Sequence, residues 1–246
     1  MKYHFLIVGC GGTGGNFIKE FARFLHSGGA GRPENTKVTI IDGDIVEEKN
    51  IARQPFTKED IGLKKAEAMC QAVYDVFGLS FEYYENYIEG VKELKSLCAE
   101  EELPIIIGAV DNHAARKVMH EFFEKSKSCI YLDSANEYSY GELVIGARLD
   151  GHTVYPDRSF YFPEILEDTS KSRSEMGCEE LNRVAPQHIT TNIFAANLLL
   201  TNVTLLLTET KINGGIYYFD MLEKEYCRFE KFSNFQEVPL LNEACA

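Results

Sequence analysis

Four glycines within six residues, Gly9, Gly11, Gly12 and Gly14, follow the apolar run at 3–8. Gly9, Gly11 and Gly14 fit the spacing G-x-G-x-x-G. After them Phe17, Ile18, Phe21, Phe24 and Leu25 recur at helical spacing. A glycine turn between a strand and a helix lets the backbone approach a phosphate at the helix N-terminus. Unpaired N–H groups and the helix dipole favour an anion there. A second apolar and β-branched run, 37–42, ends on Asp42, where a carboxylate is expected to hold ribose hydroxyls. Taken alone, these residues suit a nicotinamide-dependent oxidoreductase, or a tight turn that holds nothing.

The elements that must position these residues are legible from periodicity. The helix after the glycine turn ends in the loop of Gly28, Gly29, Gly31 and Pro33. Residues 60–78 read as a helix opening on Asp60 and closing on Gly78. The run 79–85 alternates as a strand, and 91–102 is helical with one charged face. Residues 104–110 form a buried strand, followed by a helix with Asp111 as its N-cap. The alternation predicts a doubly wound, Rossmann-like α/β fold with a parallel sheet. The pattern changes after residue 128. Runs at 129–135 and 141–149 predict antiparallel strands, so the sheet as a whole is mixed. A polar loop over 151–176, a long apolar helix over 189–208 and a closing hairpin, 215–221 and 225–232, complete a single domain over 1–246. Its nucleotide-binding half is expected at 1–150, and 177–246 supplies the helix and the closing strands.

The 246 residues carry a net charge of −13, which argues against a nucleic-acid or anionic-membrane partner, since both require basic surface. The apolar helix carries Asn192, Asn197 and Asn202, so a buried or interfacial helix is expected rather than a membrane span. Its amides and length fit a dimer. Seven cysteines, an odd number at wide spacing, predict reduced thiols in a cytoplasmic protein.

The stretch 41–68, "IDGDIVEEKNIARQPFTKEDIGLKKAEA", resembles the ThiF/MoeB/HesA family of ubiquitin-activating-like adenylyltransferases. It carries Asp42, Asp44, Val46, Asn50, Arg53 and Gln54, then Asp60, Gly62, Lys65 and Ala66. The family's D-N-x-x-x-R follows as Asp111, Asn112 and Arg116. The resemblance covers about residues 3–150 closely. The remainder, with "GCEELNRVAP" before the long helix, is similar in outline to ThiF proteins of PRTRC-type gene clusters. It implies adenylation by ATP, with Mg²⁺, of the C-terminal Gly-Gly carboxylate of a small ubiquitin-like or sulfur-carrier protein, in a homodimer. By the same resemblance Gly9, Gly11, Gly12, Gly14, Asp42, Asp44, Asn50, Gln54 and Asn112 bind the nucleotide. Arg53 and Lys65 bind its phosphates and act in catalysis, and Asp111 holds the metal. The residue types suit that chemistry: Arg53 can fork onto two phosphate oxygens, Lys65 supplies a point charge, and one carboxylate can ligate Mg²⁺.

Two departures from the family bear on function. The chain opens at its first strand, without the N-terminal arm whose arginine reaches the partner's phosphates in many members. A non-catalytic nucleotide-binding scaffold that assists another subunit is therefore the alternative reading. The paired C-x-x-C motifs of zinc-bearing relatives are absent, so no zinc is expected. Cys178, in a polar loop beside Arg173, is the candidate for a covalent acyl carrier after adenylation, with a buried unreactive thiol as the alternative. Cys10 and Cys70 read as packing residues.

Overall fold

The computed structural model describes residues 2–28, 36–169, 188–223 and 226–233. Apolar strand runs build a central sheet: β1 (Lys2–Val8), β2 (Thr36–Ile41), β3 (Glu82–Tyr84), β4 (Glu102–Gly108), β5 (Cys129–Asn136), β6 (Tyr140–Leu149), β7 (His152–Tyr155), β8 (Gly215–Asp220) and β9 (Cys227–Lys231). Their order is β3-β2-β1-β4-β5-β6-β8-β9, with β7 also paired to β6. The first five strands run parallel. From β6 onward every pairing is antiparallel. The predicted mixed Rossmann-like sheet is therefore the observed one.

The helices are α1 (Gly12–His26), α2 (Glu48–Ile51), α3 (Lys65–Phe77), α4 (Val91–Leu97), α5 (His113–Lys125), α6 (Arg158–Tyr161), α7 (Glu164–Glu167) and α8 (Ile189–Glu209), numbered over the described residues. Strands such as β4 are buried along their whole length, because helices cover both faces. On one face Phe5, Ile7 and Ile105 pack with Phe17 and Phe21 of α1 and with Leu199 and Val203 of α8. On the other, Leu6, Val8 and Ile106 pack with Met119 and Phe123 of α5.

Several boundaries differ from the sequence reading. The helix expected from Asp60 starts at Lys65; Lys58–Asp60 is a separate 3-10 turn, in which Asp60 accepts from the Thr57 N–H. The residues between, including Gly62 at φ +92°, form a tight turn closed by an Ile45–Lys64 bridge. A local cap thus competed with the helix signal and won. The cap of α5 is Asn112 rather than Asp111: its side chain accepts from Ala115 N at 2.8 Å. The helix expected over 91–102 stops at Leu97, and Glu102 already belongs to β4. The predicted polar loop contains β7, α6 and α7, short elements below the reach of periodicity. Residues 170–187, with Cys178 and Arg173, lie outside the described residues.

The helix α8 is long and apolar enough to cross a membrane by length and composition alone. In the fold it packs on α1, β5 and β6. Asn192 and Asn202 are buried on its inner side, and Asn202 joins Asn213 and Tyr217; Asn197 is exposed.

Candidate active site

In an open α/β sheet, ligands bind beyond the carboxyl ends of the parallel strands. A cavity of about 800 Å³ opens there, within the size range of small-molecule sites. The β1–α1 turn, the segment after β2, the β4–α5 turn and the ends of β5 and β6 line it. Gly9, Gly11, Asp42, Asp44, Asn50, Arg53, Gln54, Lys65, Asp111 and Asn112, all singled out from the sequence, line this one cavity together with Gly12. Gly14 lies in the first turn of α1, where a Cβ would stand 1.9 Å from the Gly9 carbonyl oxygen; its role is to let α1 close onto the strand.

Gly11 is different. A Cβ there would meet nothing nearer than Gln54 Nε2 at 4.0 Å, so the protein itself leaves this space open above the start of α1. The helix has no side-chain cap and no acid in its first turn. A helix start of this kind suits an anion. Beside it the Gln54 Oε1 is buried and has no partner among the described residues, which fits a site built for a polar ligand.

Asp42 follows β2 and ties the turns together. Its Oδ2 accepts from Cys10 N at 2.6 Å and its Oδ1 from Asp44 N at 2.8 Å. Burial raises its carboxyl above the usual range, against the pull of Lys65. Lys65, the first residue of α3, is 5% exposed and places Nζ 2.8 Å from Asp44 Oδ2. Asp44 also accepts the Tyr87 hydroxyl. Asp44 therefore orients Lys65 while Tyr87 orients Asp44; Tyr87 carried no motif and was legible only in three dimensions. Asn50 is buried in α2, and its Oδ1 accepts from Glu47 N at 2.8 Å, leaving the amide N–H groups for a ligand. Arg53 is half-buried on the cavity wall and has no ion-pair partner among the described residues.

At the other end of the cavity, Arg116 of α5 is buried. Its guanidinium donates to the Val110 carbonyl at 2.6 Å and stands 3.4 Å from Asp133. That bond steadies the β4–α5 turn that presents Asp111, itself exposed to the cavity. Asp133 also receives Arg158 at 3.3 Å and the Tyr131 hydroxyl at 2.8 Å. Cys10 and Cys70 are buried, and burial lifts both thiols, Cys70 to about 12. They remain protonated packing groups, as expected from the sequence.

Six carboxylates line the cavity, Asp42, Asp44, Glu47, Asp111, Glu137 and Glu142, against three cations, Arg53, Lys65 and Arg116. Lys65 and Arg116 are already paired with acids. A polyanion would enter such a field favourably only with divalent cations around it.

Known structures share this architecture. PaaA aligns with a TM-score of 0.66 and 17% identity, over 93% of this chain and 64% of its own. E. coli MccB solved with ATP gives a TM-score of 0.66 and 17% identity, over 93% of this chain and 63% of MccB. MccB solved with AMPCPP and MccA gives 0.65 and 14%, over 97% of this chain and 66% of MccB. The chain thus spans slightly less than two thirds of the length of these proteins. No curated protein matches it. The profile of the ThiF family, however, matches residues 1–240, and by that match over nearly its whole length the chain belongs to the ThiF family.

Proposed function

We propose that the protein is an ATP-dependent adenylyltransferase that activates the C-terminal carboxylate of a small partner. The observation that carries this reading is the convergence of Arg53, Lys65 and Asp111, from three separate segments, on one cavity with the glycine turn. Adenylation spreads charge over phosphate oxygens, so the reaction calls for positioned cations and a metal rather than an acid–base pair. Hydride transfer would leave this set without a task. Support also comes from MccB, whose structures were solved with ATP and with MccA.

In this reading Asp42 receives the ribose hydroxyls on the lone pairs left by its two N–H donors. Ile88 and Val110 offer apolar surface to the base. The first turn of α1, the Asn50 amide and the Arg53 fork hold the phosphates. Lys65, held by Asp44 at the N-terminus of α3, adds its charge near the α-phosphate. Asp111 holds the Mg²⁺, with Asn112 occupied as the helix cap. When bound, the metal screens the phosphate oxygens and stabilises the departing pyrophosphate. The partner is a small ubiquitin-like or sulfur-carrier protein ending in Gly-Gly, and the enzyme a cytoplasmic homodimer. Cys178 is assigned the later step: its thiolate takes the acyl group from the adenylate and AMP leaves.

Calorimetric titration tests the nucleotide reading. Mg·ATP should bind and NAD should not, and chelating the metal should remove ATP binding because six carboxylates line the cavity. Tighter binding of NAD than of Mg·ATP overturns the proposal.

A further inference from the structure

Lys65 is the cation that the adenylation reading assigns to the α-phosphate, yet its charge is already engaged. Its Nζ stands 2.8 Å from Asp44 Oδ2, and both side chains are largely buried, 6% and 19% exposed. Asp42, two residues before Asp44, lies in the same field: Lys65 pulls its carboxyl down and Asp44 pushes it up. One ammonium thus serves two carboxylates. A phosphate that draws on Lys65 takes charge from both. With Lys65 buried and Asp44 mostly so, water does little to screen the repulsion left behind.

Tyr87 is placed to compensate. It lies between β3 and α4, on the cavity wall, and its hydroxyl donates to Oδ1, the other oxygen of the Asp44 carboxylate. Its ring lies against Gly43: a Cβ on that glycine would stand 2.7 Å from Tyr87 Cγ and 2.8 Å from Tyr87 N. Gly43 is therefore a glycine on account of Tyr87.

The backbone of the 42–44 loop is fixed independently of the Lys65 side chain. Lys64 Nζ donates to the Gly43 carbonyl at 3.0 Å, and the Lys65 N–H donates to the Asp44 carbonyl at 3.0 Å. The Asp42 N–H donates to the Tyr84 carbonyl at 3.2 Å, which ties the loop to β3. The Lys65 ammonium, on its flexible four-carbon stem, can leave Asp44 without unfastening the loop.

We propose that Tyr87 is a positioning residue for nucleotide binding, whose hydroxyl holds the Asp44 carboxylate while Lys65 turns its ammonium to the α-phosphate. This rests on the adenylation reading above and names a residue outside all of its sequence motifs. The change is an exchange of hydrogen-bond partners in which no proton is transferred. Lys65 stays an ammonium, Tyr87 a phenol and Asp44 a carboxylate. A hydrogen bond to an ionised acceptor is roughly twice as strong as one between neutral groups, so the phenol can offset part of what Lys65 takes away. Phenylalanine at this position would fill the same space against Gly43 but would make Asp44 more dependent on Lys65. The ammonium would then be held back from the phosphate.

A double-mutant cycle read by calorimetric titration of the full chain with Mg·ATP tests this. Tyr87→Phe should weaken Mg·ATP binding about tenfold, the low end of the range for a hydrogen bond to a charged group. Asp44→Asn should still bind Mg·ATP, because its amide releases Lys65. In that background Tyr87→Phe should cost less than about twofold, since no carboxylate charge is left for the hydroxyl to hold. A Tyr87 that serves only by packing on Gly43 would cost the same in both backgrounds. Wild-type affinity in Tyr87→Phe, an undiminished loss in the Asp44→Asn background, or no Mg·ATP binding by Asp44→Asn alone overturns the positioning role and leaves the adenylation reading standing. A wild-type chain that does not bind Mg·ATP overturns the adenylation reading, and the role of Tyr87 with it.

Discussion

The two ends of the parallel sheet hold their carboxyl groups in opposite ways. At the amino ends of β1, β2 and β4, His4 is fully buried, with Nε2 2.8 Å from Thr39 Oγ1 and Nδ1 2.8 Å from Glu102. Glu102 in turn takes Lys2 at 3.0 Å and the Ala99 N–H at 3.1 Å. Burial alone would raise the Glu102 carboxyl, but Ala99, Lys2 and His4 together hold it below the usual range. At the carboxyl ends, burial wins over the pull of Lys65 and lifts Asp42. Ser134, Gln54 and Asn192 have atoms in or beside the cavity that find no partner among the described residues. At the amino ends the donors of the fold outweigh the effect of burial on a carboxyl, and at the carboxyl ends they do not.

If that contrast is sound, changes at the two ends should separate activity from stability. The largest effect is expected from Asp111→Ala. Losing a fixed element of charge stabilisation costs on the order of a hundredfold or more in rate. Pyrophosphate exchange in the presence of the true carrier should fall by that much, while the melting temperature holds, because Asp111 is exposed. Near-normal exchange would show that the metal is held elsewhere.

At the opposite end Glu102→Gln should do the reverse. Replacing an acceptor shared by His4, Lys2 and Ala99 should cost roughly 1–3 kcal/mol of stability. Denaturant titration reads that loss, and Mg·ATP affinity should stay at the wild-type value. A variant that keeps its stability but loses ATP binding would break the contrast.

The smallest effect is the pH dependence of the amino-end cluster. Burial pushes the His4 imidazole below its ordinary value of 6.5, against the pull of Glu102. As pH falls through about 6.5, the unfolded chain therefore takes up a proton that the folded chain refuses. Stability present above that pH is lost on acidification. Melting curves from pH 8 to pH 5 should decline for the wild type and decline less for His4→Gln.

The sequence alone determined the alternation of the longer elements and a core set of the cavity residues. Periodicity marked the parallel strands because both their faces are buried, and the motifs 9–14, 41–68 and 111–116 put Gly9, Asp42, Arg53, Lys65 and Asp111 of the cavity on the page. Local chemistry was already harder to read. The start of α3 at Lys65 was hidden by the Asp60 cap, and the segment 152–167 by elements of four residues each. Only the tertiary structure decided which charges are engaged. Lys65 pairs with Asp44 across 21 residues and Arg116 with Asp133 across 17. Tyr87, Ser134 and Asn192 carry no motif at all. Their significance comes from contacts over as many as 179 residues, such as Thr13 with Asn192. The physical reason is that a motif reports the backbone geometry of one short segment. A partner, or the lack of one, is a property of the distance between segments, and that distance exists only once the sheet has brought their ends together.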